Sequence, residues 1–133
     1  MNVADNIVKI LEEEGIDTVF GIPGEQIMPL YKALSNSSIN HVLTRHEQGA
    51  AHAADGYTRS SGKIGVCITT ASPGALNTVM AVATAYKDNV PMLVLTGDND
   101  LKYRDTDHFQ TTPQLEILKH ITQASYNPLN GTE

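Results

Sequence analysis

The chain has 133 residues, a length that fits one domain burying roughly two-thirds of its unfolded surface. Hydrophobic residues make up 41% and charged residues 18%, which excludes a disordered chain. Nine Lys and Arg against 15 Asp and Glu give a formal net charge of −6, so neither nucleic acid nor an anionic membrane surface is an expected partner.

No apolar run approaches the roughly 20 residues that cross a bilayer. The opening Met1-Asn2-Val3-Ala4-Asp5 lacks the basic-then-apolar pattern of a secretory leader. A single cysteine, Cys67, agrees with a reducing compartment, and the expected location is cytoplasmic.

Val3, Ile7, Ile10 and Leu11 recur at helical spacing, opposite Asp5, Lys9, Glu12 and Glu13, and Gly15 marks the stop. Thr18-Val19-Phe20 predicts a strand that turns at Gly21-Ile22-Pro23-Gly24. Ile27, Leu30, Tyr31 and Leu34 form a second helical face. The unit then repeats: a strand over residues 39–43, a small-residue-rich helix over 47–59, and a nearly continuous apolar strand over 64–68. A helix over 75–86 and another apolar strand over 91–95 complete the repeat. Residues 98–112 read as a polar loop, 113–120 as a short helix and 121–126 as a final strand. The expected domain is 1–126, with 127–133 a tail or the start of a linker.

Apolar strand runs indicate burial on both faces, as in a parallel sheet covered by helices. With strands and helices alternating, the expected fold is α/β, a three-layer sandwich with a mostly parallel sheet. Ligands in such folds sit beyond the carboxyl ends of the strands. Those ends carry the loops 21–24, 44–47, 70–74 and 97 onward.

On residue chemistry alone Glu47 reads first as a helix-end acid, stabilised by free amides and the macrodipole. The small-residue run after it, Gln48-Gly49-Ala50-Ala51-His52-Ala53-Ala54-Asp55-Gly56, lets another backbone, a flat ligand or a second subunit approach closely. His46 and His52 lie six apart rather than at i and i+4, so they do not make a zinc pair, and no metal ligand is assigned. Gly21-Ile22-Pro23-Gly24 is neither a dinucleotide fingerprint nor a P-loop. Ser72 lacks a nucleophile elbow, and Cys67 reads as a small hydrophobe.

In order along the chain stand Phe20-Gly21-Ile22-Pro23-Gly24, then Arg45-His46-Glu47-Gln48-Gly49-Ala50-Ala51-His52-Ala53-Ala54-Asp55-Gly56-Tyr57, then Ser72-Pro73-Gly74-Ala75-Leu76-Asn77. Ala83-Thr84-Ala85-Tyr86-Lys87-Asp88-Asn89-Val90-Pro91, Thr96-Gly97 and Asp107-His108-Phe109-Gln110 continue the series. This series resembles the amino-terminal, pyrimidine-binding domain of acetolactate synthase large subunits, which are thiamine-diphosphate enzymes. The resemblance runs to about residue 110 and is most specific around Glu47.

It implies that Glu47 is the catalytic carboxylate, hydrogen-bonding a ring nitrogen of the cofactor's aminopyrimidine and so promoting loss of the thiazolium carbon proton. It implies further that Pro23, Gly24, Pro73, Gly74 and Asn77 line the cofactor and that Phe109 and Gln110 face the substrate. The implied reaction is decarboxylation of a 2-keto acid such as pyruvate and addition to a second keto acid, in branched-chain amino acid biosynthesis. The family holds the diphosphate through Mg2+ on a separate domain carrying Gly-Asp-Gly and a later Asn-Asn, and Gly97-Asp98-Asn99 lacks that pattern. The implied partners are therefore that diphosphate domain and further copies, in a homodimer or higher oligomer, with the isolated chain inactive. In the family the turn at 72–74 is usually Gly-Pro-Gly and an acidic residue usually follows Phe-Gln; here they are Ser72-Pro73-Gly74 and Thr111. Another thiamine-diphosphate decarboxylase, or a freestanding non-catalytic module, are the alternatives.

Overall fold

Asn2 starts the first helix, α1 (Val3–Glu13), with a capping box. Its side chain accepts from the Asp5 N–H at 2.9 Å, while the Asp5 carboxylate accepts from the Asn2 N–H at 3.0 Å. The structure, a computed structural model, describes residues 2–103 and 106–128. After α1 come β1 (Thr18–Gly21), a 3-10 turn at Glu25–Ile27, α2 (Met28–Leu34) and β2 (Asn40–Leu43). The chain continues through α3 (Glu47–Ser61), β3 (Gly65–Thr69), α4 (Pro73–Leu76), α5 (Val79–Lys87), β4 (Met92–Thr96) and α6 (Gln114–Leu118).

The four strands form one sheet in the order β2-β1-β3-β4, with every neighbouring pair parallel. Side chains alternate across it. Val19, Val66 and Ile68 pack with Val8, Leu11, Leu30 and Leu34 of α1 and α2 on one face. Phe20 and Cys67 pack with Ala50, Ala51, Ala54 and Ala81 of α3 and α5 on the other. The result is the three-layer α/β arrangement expected from the alternating pattern.

The small residues of α3 have a packing reason. Ala50, Ala51 and Ala54 are fully buried against the sheet, and a Cβ on Gly65 would lie only 2.0 Å from the Ala54 carbonyl oxygen. Thr58 completes the seam, its Oγ1 accepting from the Gly65 N–H at 2.7 Å. Of the three approaches that the run permits, this one is filled by the protein's own β3 backbone. Gly49, His52 and Gly56 are left exposed on the outer side of α3.

Three expectations are corrected. The helix expected over 75–86 is two, α4 and α5, separated at Asn77-Thr78; the buried Thr78 turns its Oγ1 back to donate to the Ala75 carbonyl at 2.6 Å. The strand expected over 121–126 does not form. Thr122 instead donates its Oγ1 to the Leu118 carbonyl at 2.9 Å and lies 2.7 Å from the Ser125 hydroxyl, closing a local turn, and Tyr126 projects into solvent. Finally, burial on both faces holds for β3 but not for β4, whose Leu93 is exposed at the sheet edge. Residues 129–133 of the expected tail lie outside the described residues. Among the described residues no helix is long and apolar enough to cross a membrane.

Candidate functional site

Parallel strands all point their carboxyl ends the same way, so the loops after β1, β2, β3 and β4 share one side of the sheet. Glu47 opens α3 on that side. His46 caps the helix, its Nδ1 accepting from the Gln48 N–H at 3.1 Å, which leaves His46 a capping group. The half-buried Glu47 side chain lies in the first turn, where a carboxylate is stabilised. Asn77, placed by the break between α4 and α5, donates its Nδ2 to Glu47 Oε2 at 2.9 Å.

Around this pair the backbone comes close. A Cβ built on Gly74 would meet Thr70 Cγ2 at 2.8 Å and Glu47 Oε1 at 3.4 Å. One built on Gly24 would meet Thr70 Cβ at 2.4 Å. Gly24, Thr70, Gly74 and Glu47 therefore form one continuous wall. Thr70 is held in it by donating its Oγ1 to Gln26 Oε1 at 2.7 Å, and Gln26 in turn packs against Gly97. Thr70 and Gln26 were not among the site residues expected from the sequence. Thr70 does lie in the loop after β3, but its part as the spacer between two glycines depends on contacts across the sheet.

Of the expected site residues, the fold gathers Glu47, Asn77, Gly74 and, through Thr70, Gly24. Pro23 is exposed in the loop after β1 and Pro73 is exposed at the first position of α4. Phe109 is 73% exposed, and Gln110 takes a left-handed backbone with φ +61°. Their segment is held by Asn99, whose Nδ2 donates to the Phe109 carbonyl at 3.2 Å and to Thr111 Oγ1 at 3.0 Å. No hydrogen bond among the described residues joins Phe109 or Gln110 to Glu47; their link to the wall runs through Thr112 and Ser72.

Electrostatics near the wall is simple. Burial, with the negative charge of Glu47 adding to it, pushes the Cys67 thiol up to about 12, which makes it an inert core residue. Among the described residues no three His, Cys, Asp or Glu side chains group as a metal site needs. The arrangement offers something else: a carboxylate with one oxygen fixed by Asn77, and the other, Oε1, beside the side-chain-free Gly74 and without a hydrogen-bond partner among the described residues. A flat ring bearing an N–H edge suits such a cradle.

The family described as thiamine pyrophosphate enzyme, N-terminal TPP binding domain, matches residues 1–117. The chain belongs to this family. As a TPP-binding N-terminal domain it is 48% identical over 126 residues to the probable acetolactate synthase large subunit of Methanococcus aeolicus, covering 95% of this chain and 21% of that protein. It is 48% identical over 124 residues to the chloroplastic acetolactate synthase of Arabidopsis thaliana, covering 92% and 18%. It is 44% identical over 126 residues to the acetolactate synthase isozyme 2 large subunit of Escherichia coli (strain K12), covering 95% and 23%. The TPP-binding domain thus spans about a fifth of the length of these relatives. The cradle beside Glu47 is a fitting place for one end of that cofactor.

Proposed function

We propose that this domain binds the aminopyrimidine end of thiamine diphosphate in a 2-keto-acid enzyme of the acetolactate synthase type, with Glu47 as its catalytic carboxylate. One observation carries the reading: Asn77 holds Glu47 Oε2 while Oε1, beside the side-chain-free Gly74, has no hydrogen-bond partner among the described residues. The names of the relatives support the reaction class.

Bound thiamine diphosphate would supply the chemistry that decarboxylates a 2-keto acid such as pyruvate and joins the product to a second keto acid. The chain's residues do the positioning. Asn77 fixes the Glu47 carboxylate, so that Oε1 can accept from, or pass a proton to, a ring nitrogen. Pro23, Gly24, Pro73 and Gly74 shape the wall against which a flat ring lies. Phe109 and Gln110, in the segment anchored through Thr112, face the substrate.

The diphosphate and its Mg2+ fall to a further domain, which makes this chain one part of the catalytic assembly and inactive alone. The exposed outer side of α3, with Gly49, His52 and Gly56, gives another domain or a second copy a close approach, consistent with a homodimer or larger oligomer. A cytoplasmic enzyme of branched-chain amino acid biosynthesis completes the reading.

The test is Glu47→Gln in the complete enzyme. The amide keeps the shape and the Asn77 contact but cannot exchange a proton as a carboxylate does. Thiamine-diphosphate-dependent turnover of pyruvate should fall by at least about 100-fold, the low end for a lost proton-transfer group. Unchanged turnover would remove Glu47 from the mechanism.

A further inference from the structure

Ser72 is 2% exposed and ties together three segments far apart in sequence. Its N–H donates to Gln114 Oε1 at 2.8 Å, and its Oγ accepts from the Thr112 N–H at 3.0 Å. Gln114 also donates its Nε2 to the Gly97 carbonyl at 3.0 Å. The Gly97 N–H in turn donates to the Thr69 carbonyl at 3.0 Å, back on β3. The circuit closes on itself: the end of β3, the end of β4 and the start of α6 are held by one serine and one glutamine.

Both sides of that circuit lead to the site. Immediately after Ser72, α4 carries Gly74 against Glu47 and is followed by Asn77, which holds the Glu47 carboxylate. On the other side, Thr112 closes the segment that bears Phe109 and Gln110. A hydroxyl is costly to bury without a partner and supplies direction when it has one. Alanine would fill the same space without reaching Thr112.

We infer that Ser72 is a positioning residue, fixing the Phe109–Gln110 segment against the wall that holds Glu47 and so setting how a 2-keto acid meets the cofactor. The inference rests on the function proposed above, because only a keto-acid substrate gives Phe109 and Gln110 their role. Ser72 itself does not touch the reacting atoms.

The test is Ser72→Ala in the complete enzyme, followed by hydrogen exchange and steady-state kinetics. Exchange in the peptide containing Thr112 should quicken by about 10-fold, within the range that losing one hydrogen bond allows. KM for pyruvate should rise about 5-fold, with kcat and the half-saturating thiamine diphosphate concentration falling or rising by less than about 2-fold. Gln114→Ala, which spares the serine hydroxyl but frees the Gly97 carbonyl, should move KM in the same direction and guards against a poorly folded first variant. Faster exchange with KM unmoved in both variants, or kcat falling in step with the change in KM, overturns the inference. A wild-type enzyme inert toward keto acids overturns the function reading instead, and unchanged Thr112 exchange in Ser72→Ala then removes the anchor as well.

Discussion

At the scale of single residues, the candidate site depends as much on side-chain atoms left out as on those present. Gly74 puts no side chain beside Glu47 Oε1, and a methyl group there has little freedom. Thr70 Cγ2 lies 2.8 Å from the Cβ position, and Thr70 is itself wedged against Gly24 and bonded to Gln26. Gly74→Ala must therefore displace Thr70 or carry its methyl toward Glu47 Oε1, and either change alters the wall beside that oxygen. The half-saturating thiamine diphosphate concentration of the complete enzyme should rise about 10-fold, equivalent to about 1.4 kcal/mol of lost binding. A titration of activity against cofactor reads this directly; an unshifted curve with normal folding would mean that the cradle is not where the ring sits. Glu47 and Gly74 are both legible in the sequence, but what connects them is visible only in three dimensions. The same holds for Thr70, since no local pattern distinguishes a threonine that separates two glycines from one that merely ends a strand.

At the scale of elements, the sheet is held to α3 by a polar tie at the end away from the site. Tyr57 of α3 donates its hydroxyl to Asp17 Oδ1 at 2.6 Å, and Lys63 pairs with the other carboxylate oxygen. These partners, Lys63 first, hold the Asp17 carboxyl down at about 2, below its ordinary 3.8. The folded pKa lies below the unfolded one, so the tie stabilises fully above about pH 4 and is lost as pH falls toward 2. Denaturant melts of wild type and Asp17→Asn should differ at pH 7 and converge between about pH 4 and 2, with added salt narrowing the gap because the pair is exposed. A gap independent of pH would assign the effect to shape rather than charge. Such ties are invisible in the sequence, whereas the elements they join are largely legible. Apolar periodicity places α1 and α2, the small-residue run places α3 and the continuous apolar run places β3, each within a few residues. It fails where side chains fold back on their own backbone. Thr78 splits one expected helix, and Thr122 with Ser125 prevents the last expected strand. Hydroxyl residues of this kind compete with regular structure through local bonds that hydrophobic spacing does not report.

At the scale of the whole molecule, charge and the available ligating groups decide what the chain does alone. Thiamine diphosphate is an anion at its phosphate end, and this chain carries a formal net charge of −6. Among the described residues no acidic or histidine cluster is built to hold a metal that would bridge to the phosphates. The wall around Glu47 offers a ring only one carboxylate oxygen and a surface of small residues. A single hydrogen bond and a stacked face contribute little once the cost of immobilising a ligand is met. Calorimetric titration of the purified chain with thiamine diphosphate and Mg2+ should therefore show binding weaker than about 1 mM, corresponding to about 4 kcal/mol. Supplying the remaining domains of the enzyme should tighten it by orders of magnitude, and Gly74→Ala should blunt that gain. Weak binding by the isolated chain would place the diphosphate grip elsewhere in the enzyme and leave this domain the pyrimidine half of a shared site. Tight, magnesium-dependent binding to the chain alone would mean that its own residues hold the diphosphate, and the division of labour inferred from the Glu47 wall would be wrong.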